Sequence, residues 1–343
     1  MPQRLRSTLA GTALVVAAVA LVNGPLLTEL WRVASLADIQ HSTDSSTHFV
    51  RMIHARDLYL PSGHHWGWEP FWFQGYVPFL LYPHLTYTAR AVASALPIEP
   101  HRLFNLYLIA IYLGLPLAAG LVVSRARGVA MGGLMAIWIA SASSTYGVGL
   151  RGVFQLGLLT QQVGLLVFLA IAYEIVLSRR IERAAVWLGV APLVHIHTAV
   201  LAGVVWLAEG AMRALRVDPD EPLRPRLLGS VIAALIAVPT TLGLILGWDQ
   251  IGGSTSFPHP QRVLHRMMRG ELLAPWPTMA AVILGAIAAV PASKGPARRW
   301  ALGALLVGAF LSIVSLLNVH FSGIVGRTLF YMLRLRTLPF ALL

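Results

Sequence analysis

Leu103-Phe-Asn-Leu-Tyr-Leu-Ile-Ala-Ile-Tyr-Leu-Gly-Leu-Pro-Leu-Ala-Ala-Gly-Leu-Val-Val123 carries no charge, and Arg125 and Arg127 follow at once. A stretch of about 20 apolar residues is what a helix needs to cross the hydrocarbon core of a bilayer. Runs of the same kind lie on both sides, at 8–30, 128–146, 155–177, 184–211, 228–247, 277–292, 300–318 and from 323 to the end. Across the chain 57% of residues are hydrophobic and 12% are charged, where a soluble domain has about 25% charged. Mean hydropathy is +0.69. The runs are continuous rather than alternating, which favours helices over barrel strands. The expected fold is therefore all-α: one polytopic transmembrane domain over 1–343 with about nine or ten spans.

The basic residues orient these spans. Arg4/Arg6, Arg125/Arg127, Arg179/Arg180/Arg183, Arg213/Arg216/Arg224/Arg226 and Lys294/Arg298/Arg299 hold most of the Lys and Arg, in short loops. Such loops belong in the cytoplasm, so the N-terminus is expected there, in the cell (plasma or inner) membrane. The net charge of +12 is then topological rather than a mark of nucleic-acid binding. One run, 184–211, is basic at both ends, so it is expected to turn back near Pro192–Thr198. All 12 histidines fall on the outer side or at outer helix ends. The N-terminus also has the outline of a cleaved signal peptide, with small residues near Ala17–Asn23. The apolar run continues to Trp31, which favours an uncleaved first span. The chain ends within an apolar stretch, as expected of a fragment or of a short last span.

The largest polar segment is the first outer loop, 31–102. Residues 44–60 are expected to form an amphipathic helix with Phe49, Met52, Ile53 and Leu60 on its apolar side. A second outer loop spans 248–276. In "DSSTHFVR" (44–51) Asp44, His48 and Arg51 share one helical face. Asp44 has two readings: a general base on an acceptor hydroxyl, or an N-cap. His48 would orient that carboxylate, contact a phosphate or be solvated. Arg51 would pair with a lipid or donor phosphate, or with Asp44 or Asp57.

Trp66, Trp68, Trp72, Tyr76 and Tyr82 form an interfacial belt or a platform for sugar rings. Glu69 and the Gly and Pro residues among them suggest a fixed loop. In "PLVHIHTA" (192–199) His195 and His197 share a face only on an extended backbone. There they would contact substrate or phosphate, serve structurally, or begin a metal site that no nearby acid completes. Arg327 clamps a phosphate or snorkels. Gln161 and Gln162 suit hydrogen bonds between spans.

Taken together, a first span, an outer loop with an acid and then a His, and Trp68-Glu69-Pro70 through Gly75-Tyr76, Pro78 and Tyr82-Pro83 resemble the GT-C glycosyltransferases. These use polyprenyl-phosphate sugars. Within them the chain looks most similar to bacterial membrane proteins labelled "6-pyruvoyl-tetrahydropterin synthase-related", a label that specifies no activity. The motif match covers about 38–85, with echoes at 195–197 and 327. It implies that Asp44 is the base, with Asp38 as a rival. Many members carry a second adjacent acid, and Ser45 stands there in this chain.

The resemblance implies inverting transfer of a sugar from a polyprenyl-phosphate donor to an extracytoplasmic hydroxyl of a glycan, lipid or protein. His48, Arg51, Glu69, His195, His197 and Arg327 would bind substrate or phosphate among membrane lipids. A divalent metal is the lesser expectation, since cationic side chains are plentiful on this side. A transporter or flippase of a lipid-linked sugar, or a non-catalytic cell-envelope scaffold, are the competing classes.

Overall fold

The computed structural model describes residues 3–63, 83–141, 149–178, 180–214 and 223–246, with isolated positions between 269 and 291. Two compact units divide the chain, residues 1–141 with 153–250 and residues 142–152 with 251–343. The second lies almost wholly outside the described residues. In the first, the elements in order are α1 (Gln3–Asn23), α2 (Leu27–Ala34), α3 (Ser45–His54), α4 (Leu85–Ala93), α5 (Pro100–Arg127), α6 (Val129–Ser141), α7 (Leu159–Tyr173), α8 (Ile181–Val194), α9 (Ile196–Ala214) and α10 (Leu223–Leu246). No strand occurs among the described residues.

Two helical stretches there are long and apolar enough to cross a membrane, Gly11–Ala34 and Pro100–Arg127. The first includes the 3₁₀ turn Gly24–Leu26 that joins α1 to α2, so the helix runs past the expected end at residue 30. Asn23 sits at the join. Its Nδ2 donates to Val19 O (2.8 Å), and its Oδ1 accepts from Tyr112 Oη on α5 (2.5 Å). Pro100 opens α5, where its missing N–H costs nothing. Gly128, at φ +93°, closes it in a conformation that suits glycine. Arg125 and Arg127 occupy its last turn, where cations complement the helix dipole.

α1, α5 and α6 pack through small residues. A Cβ on Gly120 would lie 2.7 Å from Val15 and 2.8 Å from Ala136. One on Gly132 would lie 2.5 Å from Ser124 Cβ and 2.6 Å from Gly120 O. Gly120-x₃-Ser124 on α5 thus meets Gly132-x₃-Ala136 on α6, a close approach of backbones found where helices associate in lipid.

The expected turn within 184–211 is present as a helical hairpin. His195 is extended (φ −160°, ψ 119°) between α8 and α9. A Cβ on Gly229 of α10 would meet Ala185 at 3.0 Å and the Trp206 ring at 3.3 Å. Ala185 and Trp206 lie about ten residues on either side of His195, and an unbroken helix would hold them about 30 Å apart. Trp206 Nε1 also donates to Ser230 Oγ (2.9 Å).

The amphipathic helix exists, but its buried face differs from the expected one. α3 continues through a π-helical turn, Ala55–Tyr59, closed by Leu60 N–H to Ala55 O (3.0 Å). Ser45, His48, Met52, Ala55 and Tyr59 are buried. Phe49 and Ile53 are half-buried, and Leu60 is exposed. Polar Ser45 and His48 turn inward because each finds a hydrogen bond there, Ser45 with Ser42 and His48 with Tyr87 and Gly157.

Candidate functional site

The segment leading into α3 is held by backbone. Thr43 N–H donates to Gln155 O and Asp44 N–H to Leu156 O, each at 3.1 Å. Upstream, Asn105 of α5 accepts from Gln40 N–H (2.8 Å) and donates to Asp38 O (2.9 Å). Asp44 is the residue before α3, and its carbonyl accepts from His48 N–H (3.0 Å). It thus already belongs to the helical ladder, and its side chain makes no capping bond. The cap is Ser42. Its Oγ accepts from Ser45 N–H (3.1 Å) and also bonds Ser45 Oγ. Gly157 (φ +75°) lets the two segments approach this closely. A Cβ there would clash with Ser42 Oγ and lie 3.1 Å from Ser45 N.

His48, expected to be solvated or to touch phosphate, is 2% exposed. Its Nδ1 pairs with Tyr87 Oη on α4 (2.5 Å). It also makes a backbone hydrogen bond to Gly157 that favours the protonated ring, so here the ring donates to the carbonyl. Burial, reinforced by Arg90 and Arg51, nonetheless pushes the imidazole well below its ordinary pKa. The consistent arrangement is a neutral ring, with Nε2–H donating to Gly157 and Nδ1 accepting from Tyr87. His48 therefore ties α3, α4 and the α7 entrance together.

The ring of Tyr87 lies 5.7 Å from that of His48. Arg51 Cζ is 6.0 Å and Arg90 Cζ 4.8 Å from the Tyr87 centroid. Asp57, one partner considered for Arg51, is engaged by Arg56 (2.7 Å).

His195 packs further along α7. Its Nδ1 is 3.1 Å from Thr198 Oγ1. A Cβ on Gly164 of α7 would lie 2.9 Å from His195 Cβ. Gly157 lies just before α7, at φ +75°, and Gly164 lies within it. Gln161 and Gln162, between them, are buried. The segment thus touches the start of α3 at Gly157 and the hairpin tip at Gly164. His197 does not share an extended backbone with His195, because it is already helical in α9.

Asp38, the rival base, is 77% exposed and 3.6 Å from His41 Nε2. Glu69, Trp66, Trp68, Trp72, Tyr76, Tyr82 and Arg327 lie outside the described residues. Among those described, no three His, Asp or Glu side chains gather as a metal site. A cleft of about 650 Å³ opens between α2 and α5, lined in part by Trp31, Glu99, His101 and Arg102. None of the expected site residues lines it.

Arg90 is the residue that pattern reading missed. It looks like a polar position in the short amphipathic segment "LTYTARAVA", yet it is 3% exposed. The available signal is the Tyr87…Arg90 spacing, which sets an Arg and one aromatic ring on one face. The chain matches no protein-family model and has no detectable counterpart among curated proteins or solved structures.

Proposed function

We propose that the chain is a multi-pass membrane glycosyltransferase that takes a sugar from a polyprenyl phosphate on the outer side of the cell membrane. What supports this reading is the start of α3, tied to the entrance of α7 by Asp44 N–H to Leu156 O and by His48 to Gly157, with His195 of the α8–α9 hairpin packed against Gly164 further along α7. Asp44 would take the acceptor proton as the hydroxyl attacks the anomeric carbon with inversion. Arg51 and His195 would stabilise the departing phosphate. His48, with both nitrogens committed, positions α3.

A membrane setting is supported by surface that is apolar and interior that is polar. α10 exposes Leu227, Leu228, Val231, Leu235 and Val238 along one side, while Gln161, Gln162, His195 and Thr198 are buried. An exposed apolar stripe of this kind suits lipid. Between the two candidate bases, geometry favours Asp44. Asp38 stands in solvent, whereas Asp44 is half-buried and its N–H donates to Leu156 O at the α7 entrance.

The test is transfer from a panel of radiolabelled polyprenyl-phosphate sugars by full-length protein in proteoliposomes. Asp44→Asn is expected to lower transfer at least about 100-fold, as loss of a general base does, with donor binding retained. Donor translocation without transfer in both proteins favours a transporter. Absence of donor binding overturns both readings and leaves a scaffold.

A further inference from the structure

We infer that Arg90 forms a buried receptor for a phosphate-class oxyanion, walled by Tyr87, Phe104 and Tyr107. The guanidinium is 3% exposed. Its Nε–H donates to Thr86 O of its own helix (3.0 Å). Nη1 and Nη2 are buried and have no hydrogen-bond partner. Arginine has five N–H donors and does not lose its charge in proteins, so four donors stand unused. No carboxylate pairs with it among the described residues. Aromatic rings surround it instead, with centroids 4.5 Å (Tyr107), 4.8 Å (Tyr87) and 5.7 Å (Phe104) from Cζ.

Ring faces attract the cation but accept few of its directional bonds. A buried charge with unmet donors is costly unless it is paired. The missing partner is anionic, and a planar fork with both terminal nitrogens open suits two oxygens of one phosphate. Arg51 Cζ lies 6.0 Å from the same Tyr87 ring, so a second positive charge stands within about 11 Å of Arg90 and adds to the positive potential there. Tyr107 is half-buried, whereas Tyr87 and Phe104 are fully buried, so entry from the surface would pass Tyr107. The phosphate can come from a lipid headgroup or from a soluble ester. The inference concerns binding alone and does not rest on the transferase reading.

The experiment measures thermal unfolding of the full chain in a neutral detergent. Inorganic phosphate, chloride at equal ionic strength, and mixed micelles with phosphatidic acid are the additions. A shift of about 2 °C or more is expected with phosphate or phosphatidic acid but not with chloride. It should be lost in Arg90→Gln and weakened in Arg90→Lys, which keeps the charge without the fork. Stabilisation by inorganic phosphate assigns a soluble ester, and stabilisation by phosphatidic acid alone assigns a lipid headgroup.

No shift in the wild-type protein, or an equal shift in Arg90→Gln, overturns the inference. Should Arg90→Gln fail to fold, Tyr107→Ala decides, since opening the wall is expected to change the phosphate concentration at half-effect at least threefold. An unchanged value then overturns the proposal. Asp44→Asn should keep the full shift, so loss of transfer and loss of anion binding are read separately.

Discussion

The α1–α5–α6 contact and the α3–α4–α7 contact are both tight, for opposite reasons. In the first, Gly120, Ser124, Gly132 and Ala136 remove side chains, and backbone meets backbone. In the second, polar groups meet one another: Ser42 with Ser45, His48 with Tyr87 and Gly157. Volume decides whether the first contact forms. Satisfaction of donors and acceptors decides the second, because a buried polar group without a partner costs about 1–3 kcal/mol. A contact of the first kind builds a frame. The second kind sets a few groups in fixed protonation states beside it, as a chemical site requires.

The most damaging test of this contrast is Gly132→Leu. Its Cβ would meet Ser124 Cβ at 2.5 Å and the Gly120 carbonyl at 2.6 Å, and backbone cannot give way cheaply. We expect a loss of about 3 kcal/mol or more, read as a collapse in the yield of folded protein by size-exclusion chromatography. Normal yield and melting would show that these helices are not in contact as described.

Gly157→Ala should cost about 2 kcal/mol through its positive φ and its clash with the start of α3. It should also disturb the site more than the frame. Hydrogen exchange of residues 42–52 is expected to rise while that of 111–136 stays unchanged. Equal loosening of both would erase the distinction between the two contacts.

A milder probe is pH. The folded His48 has a pKa below the ordinary value of 6.5, chiefly through burial. Above pH 6.5 the ring is neutral in both states and contributes no pH dependence. Below it the unfolded chain takes up a proton that the folded chain refuses, so stability falls with pH. The fall is at most about 1.4 kcal/mol per pH unit and ends at the folded pKa. Melting followed from pH 7.5 to 5.5 should show it, and His48→Gln should flatten it. The same slope in that variant would place the titration elsewhere.

The smallest effect is expected at Asp38→Asn. Its carboxylate is 77% exposed, so stability should change by no more than about 0.5 kcal/mol, and any transfer activity should persist. Loss of activity in this variant with retention in Asp44→Asn would exchange their roles.

Several parts of this architecture were legible beforehand. The hairpin at His195 follows from basic clusters at both ends of a run too long for one span. His48 and Arg51, three residues apart, both reach the Tyr87 ring, as one helical face allows. Asp44 stands at the N-cap position as its type implies, but its side chain makes no capping bond and Ser42 Oγ takes the Ser45 N–H instead. Only the bonds from Thr43 and Asp44 to Gln155 and Leu156 place the Ser42 hydroxyl over Ser45 N–H. The buried stripe of α3 was misread because apolar content ranks Phe49 and Ile53 above Ser45 and His48.

Local chemistry by itself determined that the described chain is helical, where its long apolar helices lie, and where the run 184–211 breaks. These follow from hydropathy, charge and backbone preference, which act within a few residues. Tertiary contact alone decided that His48 is neutral, that Ser42 is the cap, and that Arg90 is buried among three rings. Each depends on groups more than ten residues away, Tyr87 for His48, Gln155 and Leu156 for the cap and Tyr107 for Arg90, and no periodicity within one helix encodes what another helix will place against it.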